Sequence, residues 1–190
     1  MILKRILDYS HTLMEQSLNK GDIAIDATCG NGHDTFFLAE LVGEEGHVYG
    51  FDIQLKAIQN TEKRLIENSI EHRVTLNHDS HSRIKEVIPE AHQQNIQAAI
   101  FNLGYLPGSD KQVVTTPDET ITSVDKLLTL LKQGGLIVLV VYHGHPGGKE
   151  EKAALMEYVT SLDQKNFRVL QYGFINQKNS PPFIIAIEKQ

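Results

Sequence analysis

Tryptophan is absent from this 190-residue chain, and cysteine occurs once, at Cys29. A single cysteine excludes an intramolecular disulfide and suits a reducing compartment. No apolar run approaches the ~20 residues of a membrane span. No internal repeat, low-complexity tract or Pro/Gly-rich linker divides the chain, so one domain over residues 1–190 is expected. An excess of positive charge is also missing: 18 Lys and Arg stand against 24 Asp and Glu, a formal net charge of −6. That excludes a surface coated in positive charge, but a local basic patch can still dock phosphates. The chain is 41% hydrophobic and 22% charged. It is long enough to bury a core without metal or disulfide support. Residues 1–20 read as an amphipathic helix rather than a signal peptide, because Lys4, Arg5, Asp8 and Glu15 interrupt any apolar core. Its apolar face is expected to hold Leu3, Leu7, Met14 and Leu18, flanked by Ile2, Ile6, Tyr9 and Leu13. These features point to a cytoplasmic protein.

Two periodicities alternate along the chain. Strands are expected at 23–27, 47–52, 74–78, 98–103 and 136–142, the last reading LIVLVVY. Helices are expected at 36–42, 55–68, 82–91 with a break near Pro89, 117–131 and 150–162. In the helix at 55–68, Ala57, Ile58, Leu65 and Ile66 are expected to face inward. Two closing strands, 167–172 and 183–188, have no helix between them. Strand–helix alternation specifies a parallel sheet covered on both faces. The most apolar strand belongs near its centre, and the closing pair forms a hairpin with one antiparallel strand.

After the first strand comes Asp26-Ala-Thr-Cys-Gly30-Asn-Gly32-His, and then a helix. The glycines let the backbone turn sharply and approach a ligand. The helix start behind them offers unpaired N–H groups and partial positive charge. The second strand ends at Asp52, about 20 residues on, where a carboxylate commonly accepts from a ribose diol. A bare Gly-x-Gly is also an ordinary structural turn; its setting between strand and helix, with Asp52 in place, favours a nucleotide-type ligand. The G-x-G-x-x-G pattern of dinucleotide sites is incomplete, with Phe36 or Phe37 where a third glycine would lie. Asp26 would repel phosphates yet accept from an ammonium. Asp79 and Ser80, in Asn77-His-Asp-Ser-His81, can meet an adenine edge. Together these favour S-adenosylmethionine (SAM) over NAD. Cys29 reads as a packing residue.

Asn102-Leu-Gly-Tyr105 follows the fourth strand, where α/β folds place their ligands. It is similar to the (Asp/Asn)-Pro-Pro-Tyr motif of amino-directed methyltransferases, with Leu-Gly in place of Pro-Pro. The Asn102 side-chain oxygen and the Leu103 carbonyl can orient an N–H nucleophile, and Tyr105 can wall it in. The same residue types also build plain turns. Tyr142-His-Gly-His-Pro-Gly-Gly-Lys149 follows the fifth strand at the same end of the sheet. His143 and His145 lack a third matched ligand, so no metal is expected. Tyr142 or His143 suits base stacking, and Lys149 and Lys111 suit phosphate contacts, although both lysines read equally well as solvated.

The glycine motif, the acidic end of strand two, the acidic loop after strand three, the motif after strand four and the closing hairpin resemble the class I SAM-dependent methyltransferases across almost the whole chain. The wording DATCGNGHDT, HDSH, NLGYLPGSDK and YHGHPGGKEE resembles a small bacterial family first described as rRNA methylases, the YtqB-like or MnmM family. That resemblance implies a Rossmann-like domain with a mostly parallel seven-stranded sheet, and SAM as cofactor. It implies N-methylation of 5-aminomethyl-2-thiouridine at the tRNA wobble position, with the anticodon arm of tRNA as partner and no membrane or metal involved. Cofactor contacts are then expected from Asp26, Thr28, Gly30, Asn31, Gly32, Asp34, Asp52, Gln54, Asp79, Ser80 and His81. Catalysis is expected from Asn102 and Tyr105, and substrate contacts from Leu103, Lys111, Tyr142, His143, His145 and Lys149. Methylation of rRNA or a small amine, and a non-catalytic RNA-binding module, stay open. So does the choice between one copy and a homodimer.

Overall fold

The computed structural model describes residues 2–104 and 117–190. Seven strands form one sheet: β1 (Ile23–Asp26), β2 (His47–Asp52), β3 (Val74–His78), β4 (Ile96–Leu103), β5 (Leu131–Val141), β6 (Phe167–Tyr172) and β7 (Phe183–Lys189). Their order is β3-β2-β1-β4-β5-β7-β6. All neighbours from β3 to β5 run parallel, and β7 lies antiparallel between β5 and β6. The helices are α1 (Ile6–Ser17), α2 (His33–Val42), α3 (Leu55–Glu67), α4 (Ile84–Val87), α5 (Pro117–Leu130) and α6 (Gly148–Ser161).

Strand alternation sorts the core into two clusters, one on each face of the sheet. Ala99, Phe101 and Leu103 of β4 join one cluster with Leu127 of α5 and Leu155 of α6. Ala98 and Ile100 join the other with Met14 of α1, Leu38 of α2 and Leu65 of α3. The same parity governs the strand ends. Ala24, Val48, Ile100 and Val140 belong to the α1–α3 face, so two residues further on Asp26, Gly50, Asn102 and Tyr142 fall on that face too. The strand order reverses between β1 and β4, which opens a crevice beyond their carboxyl ends.

Several local expectations are corrected. The buried stripe of α1 is Ile6, Ser10 and Met14, continued by Leu18, while Leu3 and Leu7 face solvent. On α3 the inward residues are Ala57, Thr61 and Leu65, and Ile66 is exposed. Both stripes follow i, i+4 spacing, which a count of apolar residues alone misassigns by one position. The helix expected at 82–91 is broken into α4 between two 3₁₀ turns, because Ile88, ahead of Pro89, is forced extended. β5 starts five residues early and bulges: pairing jumps from Ile96–Leu131 to Ala98–Leu136. Gly134, with φ of 76°, sits in that bulge, and its carbonyl accepts from the Gln97 side chain at 3.2 Å. Among the described residues no helix is long and apolar enough to cross a membrane.

Candidate active site

The turn from β1 to α2 is braced by its own carboxylates. Asp26 is fully buried. One of its oxygens accepts from the Thr28 N–H at 3.1 Å and the other from the Thr35 hydroxyl at 2.6 Å. Burial, and then the neighbouring Asp34 charge, push the Asp26 carboxyl up to about 7. Asp52 accepts from the Gly30 N–H at 3.0 Å and from the Gln54 N–H at 2.9 Å. Asp52 thus holds the glycine turn against the start of α3, and each of its oxygens keeps a second lone pair.

Close packing explains the glycines. Gly32 has φ of 76°, and a Cβ there would lie 2.8 Å from the Thr61 Cα. At Gly50 a Cβ would stand 2.6 Å from the Cys29 sulfur. Cys29 is therefore the packing residue expected, and burial drives its thiol upward. Asn31 is tied to α3: its side-chain oxygen accepts from Asn60 at 3.0 Å and its carbonyl from Arg64 at 2.9 Å. Ile53, next to Asp52, is 49% exposed, an apolar side chain that sequence reasoning did not single out.

Beyond β3, Asp79 accepts from the Ser80 N–H at 2.8 Å and pairs with Arg83 at 3.0 Å. The Ser80 hydroxyl caps the following 3₁₀ turn and donates to Glu119. His81 corrects its expectation. It is a core residue whose Nδ1 lies 2.6 Å from the Ser123 hydroxyl of α5. Burial lowers its imidazole to about 4, so it stays neutral beneath the crevice.

Asn102, one residue before the end of β4, is half-buried. Its main-chain N–H donates to the Thr28 hydroxyl at 2.7 Å, and its side-chain Nδ2 donates to Asp34 at 2.5 Å. The other Asp34 oxygen meets His11 Nε2 at 2.7 Å, and the His11 ring stacks on Phe37 with centroids 4.0 Å apart. Sequence reasoning misses His11 because α1 reads only as a packing helix. The available signal is a polar ring beside the buried stripe of an otherwise amphipathic element. The Leu103 side chain is buried, and its carbonyl accepts from the Tyr142 N–H at 3.0 Å, so one of its lone pairs belongs to the sheet. Tyr142 is 37% exposed, and burial followed by the Asp34 charge raises its hydroxyl. Gly104 packs on it: a Cβ at that position would lie 3.3 Å from the Tyr142 Cβ.

The loop after β5 departs from expectation. His143 Nε2 is 3.0 Å from the Pro181 carbonyl and its ring packs edge-on against Phe183. The His145 side chain is only 8% exposed beside Glu151, with Nδ1 3.0 Å from the Pro146 carbonyl. His145 thus shows far less side chain at the surface than Tyr142 does. Lys149 lies exposed in the first turn of α6. Tyr105 and Lys111 lie outside the described residues. Among the described residues no three His, Cys, Asp or Glu side chains gather as a metal-binding group.

The strand order, the glycine turn at the switch point and the acidic ends of β1 and β2 define a Rossmann-like class I methyltransferase fold. The chain belongs to the family described as "Putative rRNA methylase", whose model matches residues 48–188. It is 35% identical over 98% of its length to an Arabidopsis thaliana protein named tRNA (mnm(5)s(2)U34)-methyltransferase, chloroplastic, covering 70% of that protein. A Clostridium thermocellum structure described as an rRNA methylase superposes with a TM-score of 0.95 at 45% identity, over 99% of both chains. A Streptococcus mutans structure described as a methyltransferase in complex with SAH superposes with a TM-score of 0.89 at 42% identity, again over 99% of both chains.

Proposed function

We propose that this chain is a SAM-dependent methyltransferase. Its substrate in this reading is the aminomethyl nitrogen of 5-aminomethyl-2-thiouridine at the tRNA wobble position, and its product is 5-methylaminomethyl-2-thiouridine. The observation that carries the reading is the convergence of Asp26, Asp52, Asn102 and Tyr142 on one face and one end of the sheet. The name of the Arabidopsis relative supports the substrate, and the SAH held by the Streptococcus mutans protein supports the cofactor.

S-adenosylmethionine is the cofactor, and when bound it supplies an electrophilic methyl group on a positively charged sulfur. The residues present suit it. Gly30 and Gly32 both take positive φ, 54° and 76°, which shapes the turn backbone that would face the ligand. The spare lone pairs of Asp52 suit a ribose diol, Ile53 suits the flat face of a base, and Asp79 and Ser80 suit its polar edge. Asp26 and Asp52 place acidic groups at the turn, which disfavours a pyrophosphate there.

Asn102 receives the substrate amine through its side-chain oxygen and aims the nitrogen lone pair. Tyr142 is the exposed aromatic surface on which the flipped base stacks. The amine reacts in its neutral form: its lone pair forms the new N–C bond, the electrons of the broken bond stay with sulfur, and a proton leaves the nitrogen to water. Rate comes from positioning and a preorganised acidic field. The test is incubation with labelled SAM and tRNA that carries the aminomethyl group, followed by nucleoside mass spectrometry. The methylaminomethyl nucleoside is expected. SAM binding with no methylation of that tRNA would overturn the substrate. The family description favours rRNA as the second reading, and label in ribosomal RNA would select it.

A further inference from the structure

A primary amide has two unlike ends. Rotation by half a turn exchanges the donor NH₂ for the acceptor oxygen. Asn102 therefore helps an N–H nucleophile only if something decides which end faces the substrate. Its partner in the structure is a carboxylate. Nδ2 lies 2.5 Å from Asp34 Oδ2, and a carboxylate can only accept. The flipped amide would set oxygen against oxygen at that distance, where like charges repel. Asp34 is itself held in place: it stands in the first turn of α2, and His11 of α1 takes its other oxygen at 2.7 Å. The His11 ring is fixed in turn by stacking on Phe37, 13° from parallel.

We propose that Asp34, clamped between His11 and Asn102, is a positioning residue that locks the Asn102 amide oxygen toward the substrate. The site then accepts a nucleophile that brings an N–H and turns away groups that offer only acceptors. This rests on the reading of Asn102 as the group that meets the amine. It moves Asp34 from the cofactor side of the site, where the sequence puts it, to the substrate side. The Thr28 hydroxyl completes the arrangement by holding the Asn102 main chain from the glycine turn, so side chain and backbone are anchored from α2 and from the turn after β1 respectively.

Asp34→Asn keeps the shape and frees the amide to flip, because the new side chain can both donate and accept. A fall in kcat of about tenfold or more is expected, with KM for tRNA and the Kd for SAM within about threefold of the parent. The exchange Asp34→Asn with Asn102→Asp restores the pairing with roles reversed. A carboxylate at 102 shows oxygen to the substrate in either orientation, so kcat is expected to recover to within about threefold. A merely structural role for Asp34 predicts no such recovery. The second readout needs no turnover: the side-chain NH₂ resonances of Asn102, identified by their loss in Asn102→Ala, are expected downfield and exchange-protected in the parent and shifted to solvent-like values in Asp34→Asn. The proposal is overturned by unchanged kcat in Asp34→Asn, by an exchange variant no better than the single one, or by unmoved amide resonances. If the parent leaves aminomethyl-tRNA unmethylated, the substrate reading falls, and the amide resonances still decide the role of Asp34.

Discussion

The two sides of the crevice are built differently. On the β1–β2 side the titratable residues of the glycine turn are spent on the turn itself: Asp26 braces Thr28 and Thr35, and Asp52 ties Gly30 to Gln54. What is left uncommitted there is main chain, second lone pairs and the exposed Ile53 side chain. On the β4–β5 side the histidines are engaged by neighbouring groups, while Asn102 and Tyr142 stay partly exposed. A motif residue is thus as often the carpenter of its loop as the contact to the ligand. The two sides differ in which side chains are left over.

Substitutions at four positions sharpen or break that contrast. The largest effect is expected at Gly32→Ala, where φ of 76° and a Cβ 2.8 Å from the Thr61 backbone leave no room. Strain of roughly 1–3 kcal/mol is expected in denaturant titration, together with loss of SAM binding by calorimetry. Unchanged SAM affinity would mean that the turn is no cofactor cradle. Tyr142→Ala comes next. Losing one stacked base is expected to raise KM for tRNA about tenfold, from roughly 1–3 kcal/mol of stacking, while SAM affinity holds and Tyr142→Phe stays near the parent. Equal damage from both variants would shift the role to the hydroxyl. His143→Ala is expected to cost about 1 kcal/mol of stability, with kcat nearly unchanged, because its ring nitrogen serves the Pro181 carbonyl. A kcat collapse in a stable variant would return His143 to the substrate.

The smallest effect is a pH dependence. The hydrogen bond to Asp34 raises His11 above the ordinary imidazole value, against a lowering by partial burial. A group raised on folding stabilises fully below its unfolded value of about 6.5, and that contribution disappears as pH rises through the raised folded value. The melting-temperature gap between the parent and His11→Gln is therefore expected to narrow from mildly acidic to alkaline pH. A gap that widened would mean His11 is neutral when paired.

Much of the architecture is legible in the sequence. β2, β3 and β6 lie where alternation and apolar runs put them, and the closing hairpin places β7 against β5 as a reversed strand. Periodicity is local and survives folding. The misses come from information that is not local. The β5 bulge depends on Gln97 of the neighbouring strand, and the depth of His81 depends on Ser123 of α5. The reach of His11 to Asp34 depends on how α1 docks. One further clue to the site lies in strand parity: counting by twos along β1, β2, β4 and β5 brings Asp26, Asp52, Asn102 and Tyr142 to one face by arithmetic on residue numbers.

The antiparallel β7 has a consequence in time. It pairs with β5 from Leu136 to Val141, the stretch that delivers Tyr142. Within the sheet the edge strand β6 pairs with β7, and the Tyr172 hydroxyl at the end of β6 donates to the Lys4 carbonyl just ahead of α1. During synthesis the glycine turn can take shape early. The substrate wall, and the helix that brings His11 to Asp34, gain their last supports only once residues 183–189 have left the ribosome. A nascent chain would therefore shape its glycine turn before it could fix Tyr142 and Asp34 in place.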